Sequence, residues 1–212
     1  MKKIISLLSE GFDSPIATYL MIKQGFLPVC VSFITNNEII NKFKSKIIKI
    51  VKILSSFIQN EKIKILFINH TNNLTFLKEN CERKLTCILC KRFMIRIAKK
   101  IGESEGTNLI LTGDILGEQA SQTLDNLYTY QQIAENATII RPLIGFNKLD
   151  VFNISRKIGL YEVCSEKSDF CTNFPEYPET HAKVPIIEES EKNIPILSLI
   201  DQSIKEAEII EI

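Results

Sequence analysis

The chain has 212 residues, of which 24% are charged and 45% are AVILMFWYC, and its formal net charge is +1. That balance excludes a disordered tail and a polytopic membrane protein, and it fits one α/β domain of ordinary size. Apolar runs such as residues 4–8 are far shorter than the roughly 20 residues a spanning helix needs, and Met1-Lys2-Lys3 leads into too short an apolar stretch for a secretory signal, so a cytoplasmic chain with no membrane partner is expected.

In chain order, residues 3–8 read as a short buried strand rich in Ile and Leu. It stops at Ser9-Glu10-Gly11. A helix comes next over about 14–24, with Pro15 in the first turn, where proline is tolerated, and Gly25 at its end. Residues 26–34 contain the apolar run Val29 to Phe33, a second strand. Over 37–59, Ile40, Phe43, Ile47, Ile50, Val51, Leu54 and Ile58 recur at helical spacing, and lysines 42, 46 and 49 form the opposite stripe. That stripe is most simply a solvated face. A third strand is expected at 62–68 and a helix starting within 71–80. An amphipathic helix covers 88–101, with Phe93, Met94, Ile97, Ala98 and Ile101 apolar. Strands are expected at 109–112 and 137–140, and a helix at 148–158 closed by Gly159. The segment from 184 is acidic, with a helix-like piece near 197–207.

This alternation predicts an α/β fold with a Rossmann-like, doubly wound, parallel five-stranded sheet. In such sheets ligands sit beyond the carboxyl ends of the strands. The expected division is a nucleotide-binding domain over 1–183 and an acidic tail over 184–212. Residues 1–100 hold 18 Lys+Arg against 6 Asp+Glu, and residues 101–212 hold 8 against 19. Either the basic half faces an anionic partner, or the halves interleave in space and the asymmetry cancels.

The loop Ser9-Glu10-Gly11-Phe12-Asp13-Ser14-Pro15 joins the first strand to the first helix. Small residues let backbone N–H groups approach an anion, and the helix N-terminus adds the positive end of its dipole. Ser9 and Ser14 offer hydroxyls, and Asp13 can cap the helix or hold Mg²⁺ on a pyrophosphate.

Six cysteines stand at 30, 81, 87, 90, 164 and 171. In a cytoplasmic chain they read as metal, cluster or sulfur chemistry rather than a disulfide framework. Cys87 and Cys90 share a face at a helix N-terminus, where thiol pKa values fall, which suits a dithiol or two ligands to one metal. Zinc with Cys81 as a fourth ligand, a redox dithiol, a persulfide on Cys171 and idle thiols all remain open. Cys30 reads as core, Cys164 has no assigned role, and His70 and His181 are too isolated to support a catalytic or ligand role.

The segment Leu7-Leu8-Ser9-Glu10-Gly11-Phe12-Asp13-Ser14-Pro15 resembles the Ser-Gly-Gly-x-Asp-Ser loop of the PP-loop ATPases. With its proline and the helix after it, the segment is most similar to the tRNA 4-thiouridine synthetase family. Further blocks match in order: Cys90-Lys91-Arg92-Phe93-Met94, residues 112–124 from Thr112-Gly113-Asp114 to Leu124, and Arg141-Pro142-Leu143-Ile144 with Lys148. Cys171 followed by Pro178 and Thr180 is a weaker match. The resemblance implies a PP-loop fold and an ATP-dependent sulfurtransferase. Such an enzyme adenylates a uridine carbonyl in tRNA, and a persulfide or cluster-held sulfur then displaces AMP.

Carried onto this chain, the resemblance places pyrophosphate on Ser9, Gly11, Asp13 and Ser14. Adenosine is framed by Leu7, Leu8, Ser32 and Phe33. Arg92, Gly113 and Gln122 match nucleotide-contacting positions. Asp13, Lys148 and Cys171 would carry catalysis. Cys87, Cys90 and Cys171 match positions implying a [4Fe–4S] or [3Fe–4S] cluster. ATP and Mg²⁺ are the implied small molecules, and a sulfur donor protein or sulfide the implied sulfur source. The family carries an RNA-binding region ahead of this domain, whereas this chain opens on the first strand. Binding of tRNA is therefore expected through a separate RNA-binding subunit, and a homodimer is left open.

Three positions depart from the family pattern. Glu10 stands where a glycine is usual, Glu118 replaces Gln, and Asn147 replaces Asp before the lysine. Glu accepts a left-handed backbone poorly, and its carboxylate opposes phosphate. Glu10 and the unmatched RNA-binding region motivate one competing reading, a non-catalytic or regulatory nucleotide- or cluster-binding module; sulfur delivery to a small thiamine-related metabolite is another.

Overall fold

The computed structural model describes residues 1–167, 171 and 173–212. β1 (Lys2–Leu7) leads through the loop into α1 (Asp13–Lys23), and β2 (Phe26–Ile34) into α2 (Ile40–Ser55). β3 (Lys64–Asn69) is followed by α3 (Thr71–Asn80) and the long α4 (Thr86–Glu105). β4 (Leu109–Leu111), α5 (Leu124–Ala134), β5 (Thr138–Ile140), α6 (Lys148–Lys157) and α7 (Tyr161–Ser165) come next. The chain closes with α8 (Val184–Glu191), α9 (Ile196–Lys205) and β6 (Glu208–Glu211). Among the described residues no helix is long and apolar enough to cross a membrane.

The sheet order is β5-β4-β1-β2-β3-β6. The first five strands are parallel, in register Ile5 with Val29 and Ile110, and Val31 with Leu66. The sequence expectation of five strands is corrected to six. β6 lies antiparallel on the outer edge of β3, pairing Ile65 with Ile210 and Leu66 with Ile209. Its Ile209-Ile210 pair between glutamates is too short to show a strand period, and tertiary pairing creates the strand. Residues 184–212 therefore supply two helices and a sheet edge.

Both faces of the sheet are covered, so its strands read as continuous apolar runs rather than alternating ones. On one face Ile5, Val31 and Leu66 meet α4, α5, α8 and α9 through Phe93, Ile97, Tyr130, Ile187 and Ile200. On the other, Ile4, Cys30 and Ile65 meet α1, α2 and α6 through Ile16, Ile47, Ile50 and Val151. The apolar stripe of 37–59 is this second contact.

The charge asymmetry resolves as interleaving. Lys44 pairs with Glu208, Lys49 with Glu166, Lys84 with Glu179 and Lys100 with Asp201, each joining the basic half to the acidic one. The deepest such pairing is Glu191. Its Oε1 accepts from Arg92 Nε (2.8 Å) and Arg96 Nη1 (2.7 Å), and its Oε2 from Arg92 Nη2 and Arg96 Nη2 (2.7 Å each). Burial alone would raise the Glu191 carboxyl; the two guanidinium groups outweigh it and hold the carboxyl below its usual value of 4.5. This pairing stabilises the fold fully above about pH 4.5, and the contribution is lost as pH falls through the lower folded value. Glu191→Gln leaves Arg92, only 2% exposed, without a counter-charge. The expected loss is about 3 kcal/mol, read as a lower urea midpoint at pH 7 whose difference from wild type shrinks on acidification.

Candidate functional site

The loop between β1 and α1 is tied by its own serines. The Ser9 N–H donates to Ser14 Oγ (2.8 Å), and the two hydroxyls lie 2.9 Å apart. Beneath them Thr18 Oγ1 donates to the Ser14 carbonyl (2.7 Å) and pairs with Ser6 Oγ (2.7 Å), anchoring the helix to β1. Gly113, just past β4, seats the same turn. A Cβ there would lie 2.5 Å from Ser14 N and 2.7 Å from both Asp13 C and Ser14 Cα. Only glycine permits this approach. Glu10 is not among the residues with positive φ, so the strain expected from a side chain at that position is absent.

Asp13 opens α1 and Lys148 opens α6, and the fold sets them face to face. Lys148 Nζ lies 2.8 and 3.0 Å from the two Asp13 carboxylate oxygens and 3.5 Å from Glu118 Oε1. Asn147, where the family has Asp, forms a reciprocal cap with Asp150 that holds the start of α6 in place. Phe12 packs edge-on to Phe152 at 4.9 Å, joining the two helix starts on their apolar side.

A cavity of about 340 Å³ opens beyond the carboxyl ends of β1 and β2. Of the residues expected from sequence, Leu7, Leu8, Ser9, Gly11, Asp13, Phe33 and Cys171 line it. Glu10, Asn36, Met94 and Gln119 line it as well, although sequence reasoning does not single them out as contacts. Ser14 sits behind the loop and shapes it.

Four expected contacts lie elsewhere. Ser32 is fully buried and donates to the Leu8 carbonyl (2.9 Å), tying β2 to the end of β1. Arg92 is committed to Glu191 and to the Thr129 carbonyl (2.6 Å), on the face of α4 turned away from the cavity. Gly113 is a packing seat. Gln122 is 5% exposed and reaches Asp114, its Nε2 lying 3.5 Å from Oδ1.

Asp114 itself escapes a reading of the sequence, because a lone acid in a loop looks like surface charge. It is 2% exposed, accepts from Thr112 Oγ1 (2.7 Å) and Lys91, and lies 3.3 Å from Arg141 Nε. Burial would raise its carboxyl, but Lys91, Thr112 and Arg141 together hold it below the usual range. Gln122 Oε1 and Arg141 Nη2 beside it are buried without hydrogen-bond partners.

The thiols divide into three groups. Cys30 and Cys164 are core residues, their thiols pushed up by burial to about 12 and about 11. Cys87 and Cys90 open α4, and both thiols are raised by burial first and then by the charge of Cys171, which places the three as electrostatic neighbours. Cys81 lies apart, against the Ser190 carbonyl at 3.8 Å. Among the described residues no three His, Cys, Asp or Glu side chains converge to hold a metal ion. Neither the expected cluster nor the zinc alternative has such a group among the described residues. His70, which looks isolated in the sequence, is buried with its Nε2 3.4 Å from Cys90 Sγ, and burial lowers its pKa to about 4.

The family model described as "Thiamine biosynthesis protein (ThiI)" matches residues 1–196. A "Probable tRNA sulfurtransferase" of Methanosarcina mazei is 35% identical over 211 residues, covering 99% of this chain and 52% of that protein. One from Caldanaerobacter subterraneus subsp. tengcongensis is 34% identical over 212 residues, covering 99% of this chain and 54% of that protein. The chain spans about half the length of the curated relatives it matches. Among solved structures, a 4-thiouridine synthetase in complex with RNA and bound ATP superposes with a TM-score of 0.93 at 29% identity, over 100% of this chain and 55% of that one. NMN synthetase from Francisella tularensis, with a TM-score of 0.58 at 14% identity, covering 96% of this chain and 84% of that one, shares the fold. A family model running over residues 1–196, nearly the whole chain, places this protein in the ThiI family.

Proposed function

We propose that the chain is the catalytic unit of an ATP-dependent sulfurtransferase that converts a tRNA uridine to 4-thiouridine. One juxtaposition carries the reading: the serine-tied loop with Asp13 and the thiol of Cys171 line a single cavity. ATP fits there with its pyrophosphate on the loop amides and the N-terminus of α1. Lys148 faces charge developing on the α-phosphate, where a preorganised cation contributes most. The oxygen-only pair Asp13 and Glu118, on one ammonium already, suits Mg²⁺, which would neutralise further pyrophosphate charge when bound.

The uridine carbonyl oxygen attacks the α-phosphorus and pyrophosphate leaves. A persulfide on Cys171, charged by a sulfur donor, then bonds through its terminal sulfur to the uridine carbon as AMP leaves. Attack of a neighbouring thiol, Cys87 or Cys90, on the Cys171 sulfur releases thiouridine and leaves a protein disulfide for a dithiol reductant to reopen. Binding of tRNA and a cytoplasmic setting belong to the same proposal.

The test is the 4-thiouridine content of tRNA from cells lacking the gene. Loss, restored by the wild-type chain, is the expected result. Unchanged content overturns the tRNA reading, and an accompanying thiamine requirement would point to a small-metabolite acceptor. Glu10 on the cavity wall favours a second reading, a nucleotide-binding module without turnover. Turnover separates the two: ATP bound by the wild-type chain with no AMP or pyrophosphate released in the presence of tRNA and a sulfur donor, and release by Glu10→Gly, would favour the second.

A further inference from the structure

We propose that His70 is a positioning residue for the sulfur of Cys90, locked as the neutral Nε2–H tautomer by Asn73 and Ser203 and donating that hydrogen to Cys90 Sγ. Hydrogen counting along the chain of contacts decides the tautomer. Ser203 has one hydroxyl hydrogen, and its Oγ lies 2.7 Å from the Leu199 carbonyl, which can only accept. That hydrogen is therefore used. Ser203 Oγ must accept from its other neighbour, Asn73, at 2.9 Å, so the Asn73 atom facing it is the amide nitrogen. The same nitrogen lies 3.1 Å from His70 Nδ1 and has a second hydrogen to give. Nδ1 is thus an acceptor and carries no hydrogen. An imidazolium has no acceptor, so the ring is neutral and its one N–H is Nε2–H. That atom sits 3.4 Å from Cys90 Sγ, within reach of a sulfur acceptor.

The ring cannot turn away. His70 is fully buried, its backbone N–H donates to the Ile34 carbonyl (2.9 Å), and Phe33 stands edge-on at 5.4 Å. The relay joins the residue before α3, the start of α4 and α9, so the C-terminal segment reaches the sulfur site. An N–H donor favours an electron-rich sulfur and acts against the burial that holds the Cys90 thiol above its usual value. Among the described residues no such donor reaches Cys87. The geometry therefore selects Cys90 as the thiol that attacks the Cys171 sulfur. That role rests on the proposed sulfur transfer, whereas the hydrogen-bond assignment does not.

The whole chain, labelled with ¹⁵N-histidine, tests the assignment by NMR. Its His70 proton is expected on Nε2 in wild type and on Nδ1 in Asn73→Asp, whose carboxylate can only accept. Alkylation of Cys90 at fixed pH, followed by mass spectrometry, is expected to slow about tenfold in His70→Ala and to recover in His70→Gln, whose amide can again donate. An Nδ1–H ring in wild type, or equal alkylation in wild type and His70→Ala, overturns the proposal. If His70→Ala does not fold, failure of folded His70→Gln to keep the wild-type alkylation rate overturns it as well. Should both readouts come out as expected while tRNA of the deletion strain keeps its 4-thiouridine, the hydrogen bond stands and the proposed reaction falls.

Discussion

Gly113→Ala is expected to destabilise the chain by about 1–3 kcal/mol and to weaken ATP binding at least about tenfold. The new methyl carbon would sit 2.5 to 2.7 Å from three backbone atoms of Asp13 and Ser14. No side chain is present to rotate away, so either the end of β4 or the start of α1 must shift. Neither is free to do so. β4 is hydrogen-bonded between β1 and β5, and α1 is wedged into the core through Ile16 and Ala17, both fully buried. Any shift of Ser14 also pulls on the Ser9 N–H that it accepts, and so on the loop shape. A urea titration and ATP calorimetry measure the two effects. A destabilised variant with wild-type ATP affinity would show that the loop does not depend on this seat.

Lys148→Ala is expected to lower the rate of ATP-dependent adenylation by about 10²–10³-fold while changing stability by less than about 0.5 kcal/mol. The lysine side chain is about one-third exposed, so its removal creates no cavity. Its effect is electrostatic. Without it, Asp13 and Glu118 are left with no ammonium between them, and in the proposed reaction the transition-state charge loses its cation. Release of pyrophosphate or AMP in the presence of tRNA is the readout. A rate within a fewfold of wild type would remove Lys148 from the chemistry and leave it as a tether between two helix starts.

Local pattern is enough to read much of the scaffold. The Ile-rich run before Ser9, the helical stripe from Ile40 to Ile58 and the apolar positions of α4 reflect periods set by backbone geometry, which any short window shows. α5 is one exception: Leu127, Tyr130 and Ala134 have helical spacing, yet the Thr112 to Leu124 block beside them draws attention to its polar residues instead. The loop and its helix start are equally legible, since strand, small residues and helix N-terminus are contiguous in the chain.

Where side chains from distant segments meet is not legible. Arg92 matches a nucleotide-contacting position, yet the fold turns it into the core against Glu191, 99 residues away in sequence. Asp114 and His70 look idle because their partners Lys91, Arg141, Cys90 and Asn73 come from other elements.

The order of residues alone is sufficient to show that strands and helices alternate and to mark the first turn and the Cys87–Cys90 pair as candidates, while the family resemblance adds Lys148 and Cys171. It took the folded chain to show that Glu208–Glu211 closes the sheet edge, that Asp13 meets Lys148, and that the relay from Ser203 ends on Cys90. The difference is one of range. Backbone periodicity and helix-end electrostatics act within a few residues, whereas burial and hydrogen-bond satisfaction are settled between elements that meet only once the sheet has formed.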